Sequence, residues 1–102
     1  MVTRIGRSAR RVGYNLERDC VLHYRQQGSF AIRIPSQSQK GILRSIDVVA
    51  YHRGVFYIIQ CKRRKKYLHK EEIERIKLAS TQWGATALLC YRDVGLKFET
   101  IT

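Results

Sequence analysis

Apolar residues recur at helical spacing from about Val12 to Gln27. Cys20, Val21 and Tyr24 share a face with Glu17, at intervals of three, four and seven. Gly28 follows as the stop. The stretch "SFAIRIP" then alternates, with Phe30, Ile32 and Ile34 on one face and Ala31 and Arg33 on the other. That is a strand, ended by Pro35. A polar loop, "SQSQKG", leads into a hairpin from about Ile42 to Arg63. The basic turn "KRRKK" precedes a second helix, from His69 to Trp83, with Gly84 as its stop. Ile73, Ile76, Ser80 and Trp83 fall on one stripe of that helix, which predicts that Trp83 is core. "ATALLCY" is almost wholly apolar and reads as a buried central strand. "LKFETI" alternates again and closes the chain at a sheet edge. The order α-β-β-β-α-β-β predicts an α/β fold, with helices bracketing a mixed sheet.

The chain of 102 residues makes one domain, 1–102, and its 44% hydrophobic content supports a small core. Residues 1–11 carry Arg4, Arg7, Arg10 and Arg11 with little apolar content and read as a flexible basic arm. Lysine and arginine number 20 against 8 acids, a net charge of +12. Such an excess argues for a polyanionic partner, nucleic acid first and an anionic membrane second. No apolar run approaches the length of a membrane span, and no signal-peptide pattern follows the basic start. The expectation is a cytoplasmic protein with no membrane partner, the N-terminal region being only a partial candidate for a surface helix. Cys20, Cys61 and Cys90 are odd in number and far apart along the chain, with no Cys-x-x-Cys. They read as reduced thiols in apolar stretches. His23, His52 and His69 complete no zinc pattern and read as surface or satisfied residues.

The hairpin "IDVVAYHRGVFYIIQCK" places polar groups where a sheet is being built. Gln60 and Lys62 lie on one strand face by parity. If the turn is the two residues Arg53-Gly54, Asp47 lies directly across from Gln60, with Lys62 as diagonal neighbour. A carboxylate, an amide and an ammonium then converge on otherwise apolar strands. The alternative is a solvated face carrying an ordinary Asp47–Lys62 ion pair. Glu17 is the second anomaly, because it shares the helix face most suited to packing on the sheet. It needs a cation or a metal as partner, unless it is a boundary residue paired with Arg18 or Arg33.

Asp47 and Glu17 offer hard oxygen donors, and Gln60 offers a carbonyl oxygen. Such a set suits Mg²⁺, with Mn²⁺ as substitute. A neighbouring lysine can orient the attacking water and stabilise transition-state charge. Basic flanks, including Arg63, Arg64, Lys65 and Lys66, can hold a phosphodiester backbone. Together these residues describe metal-dependent phosphodiester hydrolysis.

Asp47 followed by Gln60-Cys61-Lys62 resembles the Asp…(Glu/Asp)-x-Lys signature of the restriction-endonuclease-like nucleases. Within that superfamily the chain is similar to the archaeal Holliday junction resolvases, through "LER" in the first helix, "FAIRIPSQS", Asp…x-Lys, a basic segment and a helix ending in "WGATALL". The resemblance implies the α-β-β-β-α-β nuclease core and a role in DNA recombination and repair. It implies a homodimer cutting opposed strands of branched DNA, with two-fold symmetry matching the substrate's. It also implies site roles: Asp47 as principal metal ligand, Gln60 and the Cys61 carbonyl completing the shell, Glu17 in the metal or water network, and Lys62 in catalysis. Arg18 and Arg33 would grip phosphates, and Ser36 and Ser38 would contact the backbone near the scissile bond.

The chain departs from the pattern at Gln60, where the family usually has an acid. One negative charge is thereby removed, and metal affinity should fall. Two further readings stay open: a nuclease of the same fold acting on other DNA structures, and a non-catalytic DNA-binding module.

Overall fold

The structure is a computed structural model and describes residues 15–35 and 45–102. Arg4, Arg7, Arg10, Arg11, Ser36 and Ser38, with the expected arm and loop, lie outside the described residues.

Helix α1 occupies 15–25 of the described residues, two residues short of the predicted end at Gln27. Its C-terminus is closed by Gly28, at φ 77°, and by the Ser29 N–H donating to the Tyr24 carbonyl at 3.1 Å. Five strands follow with one further helix: β1 (Phe30–Arg33), β2 (Val48–His52), β3 (Val55–Cys61), α2 (Lys70–Trp83), β4 (Thr86–Arg92) and β5 (Leu96–Thr100). The "KRRKK" segment is not only a turn. It runs into a short 3₁₀ helix at Lys65–Tyr67.

The strands lie side by side in chain order. Pairing is antiparallel except between β3 and β4, where α2 makes the crossover that a parallel pair requires. The sheet is therefore mixed, with β4 inside it and β5 at an edge, as the patterning predicts.

Each sheet face carries its own apolar layer. Leu16, Cys20, Val21 and Tyr24 of α1 pack on Ala31, Val48, Ala50, Ile59, Leu88 and Cys90. Ile76 and Ala79 of α2 pack on Ile46, Ile58 and Ala87. Burying a side chain such as Leu16 contributes about 1.5–3 kcal/mol, so α1 is held chiefly by this face. The three cysteines, distant in sequence, meet in the first layer, with sulfurs within 4.8 Å of one another. Cys61 and Cys90 are direct neighbours on β3 and β4, and Cys20 descends on them from α1.

One expectation of burial fails. Trp83 is 42% exposed, because α2 stays in contact with the sheet at Ile76 and Ala79 but its last turn extends beyond that contact. On β1 the buried residue is Ala31, while Phe30 and Ile32 are exposed on the opposite face, which α2 does not cover there.

Candidate active site

The β2–β3 hairpin turns through Arg53 (φ 51°) and Gly54 (φ 82°), the left-handed pair of a two-residue turn. Its register is the predicted one, from His52↔Val55 to Val48↔Ile59. The pattern changes at the next step. Asp47 N–H donates to the Ile59 carbonyl at 2.9 Å, although Ile59 is already the partner of Val48. Ile46 and Val48, two residues apart, also pack on opposite faces of the sheet. Alternation therefore breaks at Asp47, as in a β-bulge. Asp47 is not set squarely across from Gln60. Its carboxylate Oδ2 instead accepts the Cys61 N–H at 2.7 Å, the peptide between Gln60 and Lys62.

On the α1 side, Glu17 is half-buried beside this carboxylate. Burial pushes the Glu17 carboxyl up, and the Asp47 charge pushes it further, to about 7. Arg33 opposes the shift. Arg18 has its guanidinium 3.4 Å from half-buried Asp19, which also pairs with Arg92.

On the α2 side, Gln60 is 3% exposed. Its Nε2 donates to Glu72 Oε2 at 2.6 Å, and Lys62 Nζ lies 2.7 Å from the same oxygen. The other Glu72 oxygen accepts the His69 N–H at 3.0 Å, at the start of α2. Burial would raise the Glu72 carboxyl, but Lys62, the His69 N–H and the Gln60 amide together hold it below its usual range. Arg75 fixes this end of α2 by donating to buried Ser45 at 2.7 Å, just ahead of Asp47 in the chain. Gln60 Oε1 is buried and has no hydrogen-bond partner among the described residues.

Sequence reasoning missed Glu72. The available signal was an acid in the first turn of a helix that begins soon after Lys62, three residues beyond the N-cap His69. That spacing marks a helix start but does not say which strand residue the carboxylate will meet.

The basic segment lies at the same end of the sheet. Arg63 donates to the Tyr67 hydroxyl at 3.3 Å and stands 5.6 Å from its ring centre; Lys66 stands 5.7 Å from the same ring. Lys65 pairs with Glu99 at 2.9 Å, and Arg64 is exposed. A cleft of about 510 Å³ is lined by Lys65, Leu68 and Ile73 together with Glu99–Thr102. Asp47, Gln60 and Lys62 do not line it. No helix among the described residues is long and apolar enough to cross a membrane.

The family model for archaeal Holliday junction resolvases (Hjc) matches residues 8–101, nearly the whole chain. The chain belongs to the archaeal Holliday junction resolvase family. It is thus placed in a family of DNA-binding nucleases. Among solved structures the chain is similar to Archaeoglobus fulgidus Hjc, a Holliday junction resolvase from an archaeal hyperthermophile. The TM-score is 0.72 at 23% identity, covering 87% of this chain and 72% of that one. That likeness establishes the resolvase fold, in agreement with the nuclease core expected from the sequence. No curated protein sequence matches the chain significantly.

Proposed function

We propose that the protein is a metal-dependent endonuclease that acts as a homodimer on four-way DNA junctions in the cytoplasm. The observation that carries this reading is the seating of Asp47 on the Cys61 N–H of the Gln60–Lys62 strand, a strand whose Gln60 Oε1 is buried, on the α2 side, with no partner among the described residues. A buried carbonyl oxygen without a donor is costly unless something binds it. Hard oxygen donors at one sheet end fit Mg²⁺ or Mn²⁺.

Asp47, Gln60 Oε1 and the Cys61 carbonyl would hold the ion, with Glu17 in the surrounding network. When bound, the ion supplies Lewis-acid stabilisation of phosphate charge and a more acidic water. Lys62 holds its ammonium, anchored on Glu72, where it can orient a nucleophile and offset charge on the phosphate. Glu17, pushed up to about 7, can accept a proton at its carboxylate near neutral pH. Arg18, Arg33 and the Arg63–Lys66 segment bind and orient the DNA backbone, with Arg4, Arg7, Arg10, Arg11, Ser36 and Ser38 assigned the same task.

Exposed Phe30 and Tyr51, paired across β1 and β2, support a second copy as partner, since an apolar patch of this kind favours association. The neutral Gln60 favours one rival, a DNA-binding module that does not cut. Incubation of a labelled four-way junction and a linear duplex with Mg²⁺ separates the readings. Junction-selective cutting supports the proposal, equal rates on both substrates reject junction selectivity, and binding without cutting favours the module.

A further inference from the structure

The Gln60–Glu72 contact has more content than a helix cap requires. A glutamate at this place in a helix satisfies the N-cap peptide with one oxygen, as Glu72 Oε1 does for His69. The second oxygen of Glu72 instead receives two groups from β3, the Gln60 amide at 2.6 Å and the Lys62 ammonium at 2.7 Å.

Hydrogen-bond chemistry makes this pairing directional. An ionised carboxylate only accepts, so the Gln60 amide must present its NH₂ to Glu72. The amide oxygen is thereby turned away from Glu72 and is left buried without a partner among the described residues. A glutamine with a free choice of orientation could turn either its NH₂ or its oxygen toward a metal site, and only the oxygen can ligate a cation. Glu72 removes that choice. It also keeps a negative charge within one hydrogen bond of position 60, where the side chain itself has none.

We propose that Glu72 is a positioning residue that supplies, from α2, the charge that Gln60 lacks, fixing Gln60 Oε1 as a neutral metal donor and Lys62 as its cationic neighbour. The proposal rests on the metal-dependent nuclease reading given above. In it, the amide on β3 and the acid on α2 act as one unit. The acid can then stand on either element, provided that the pair keeps one acid and one amide.

The test uses the whole protein in three forms besides wild type: Glu72→Gln, Gln60→Glu, and the double exchange Gln60→Glu/Glu72→Gln. Mn²⁺ binding to the DNA-free protein is read from the loss of the free-ion EPR signal. Junction cleavage and melting temperature are measured alongside. Glu72→Gln is expected to weaken Mn²⁺ binding about 10–100-fold, the usual cost of losing a group that orients a ligand. The double exchange is expected to recover wild-type binding and cleavage to within roughly threefold, and Gln60→Glu alone to bind Mn²⁺ more tightly than wild type.

Wild-type Mn²⁺ affinity in Glu72→Gln would overturn the proposal. So would a defect that the double exchange does not repair, because a residue that merely caps α2 is not restored by an acid on β3. If wild type neither binds Mn²⁺ nor cuts any DNA, the nuclease reading falls and the proposal with it. Wild-type cutting with unaltered Mn²⁺ binding in Glu72→Gln would remove the proposal alone.

Discussion

Asp47 Oδ2 accepts the peptide N–H of Cys61 at 2.7 Å, which ties Asp47 to the strand that carries Gln60 and leads into Lys62. An asparagine at 47 can keep this bond through its side-chain oxygen but removes the charge. Asp47→Asn should therefore melt within a few degrees of wild type and lose about 100-fold or more of its metal-dependent cleavage. Thermal unfolding followed by circular dichroism, with a junction assay on the same preparation, checks both halves.

Glu17 titrates in an unusual range. Its folded carboxyl is raised to about 7 from an ordinary value of 4.5, so the folded state binds the proton more tightly than the unfolded chain does. Stability contributed by this group is present below pH 4.5 and is lost as pH rises to about 7. Glu17→Gln should then raise the melting temperature of the metal-free protein at pH 8 and have little effect at pH 4.5. Melting curves in EDTA at both pH values test the sign. An equal shift at both would show that the carboxylate charge is not the cause.

Gly54 stands at φ 82° in the turn that sets the hairpin register. An alanine meets no atom there but is strained by the backbone conformation. Gly54→Ala should cost about 1 kcal/mol in urea unfolding, with an unchanged denaturant slope.

Phe30 is 60% exposed and Tyr51 55% exposed, on adjacent strands. If they line the dimer contact, Phe30→Glu should convert the dimer to a folded monomer in light scattering. A wild-type monomer, or a dimer unaffected by the charge, would remove this patch from the interface.

Much of this site was legible in the sequence because strand parity and turn length are local. Arg53-Gly54 could be read as a two-residue turn, and that turn fixed which β2 residue meets which β3 residue. The bulge at Asp47 was not legible, since it depends on how the chain before β2 packs Ile46 against α2. Glu72 was hidden for a different reason. Helical periodicity shows which residues share a face, but not how the helix is placed along the sheet. Here that placement is fixed by the 3₁₀ turn and by the Arg75–Ser45 bond. The same limit explains Trp83, whose spacing from Ile73 and Ile76 is regular but whose turn lies past the buried contacts of α2. The meeting of Cys20, Cys61 and Cys90 needs three elements docked together, which no spacing along the chain encodes.

The basic segment and arm predict binding governed by phosphate contacts. Log affinity for a junction should fall with log salt, by about 0.9 for each phosphate neutralised, and replacing Arg64 and Lys66 by alanine should make the slope shallower by about 2. A flat salt dependence in wild type would contradict every nucleic-acid reading of this surface.

The central claim is that this sheet end hydrolyses DNA with the help of a metal ion. Its most direct measurement is cleavage of a labelled four-way junction by wild type and Asp47→Asn, each with Mg²⁺ and with EDTA. The account predicts paired cuts by wild type in Mg²⁺ only. Cleavage in EDTA, or cleavage by Asp47→Asn at the wild-type rate, would contradict it.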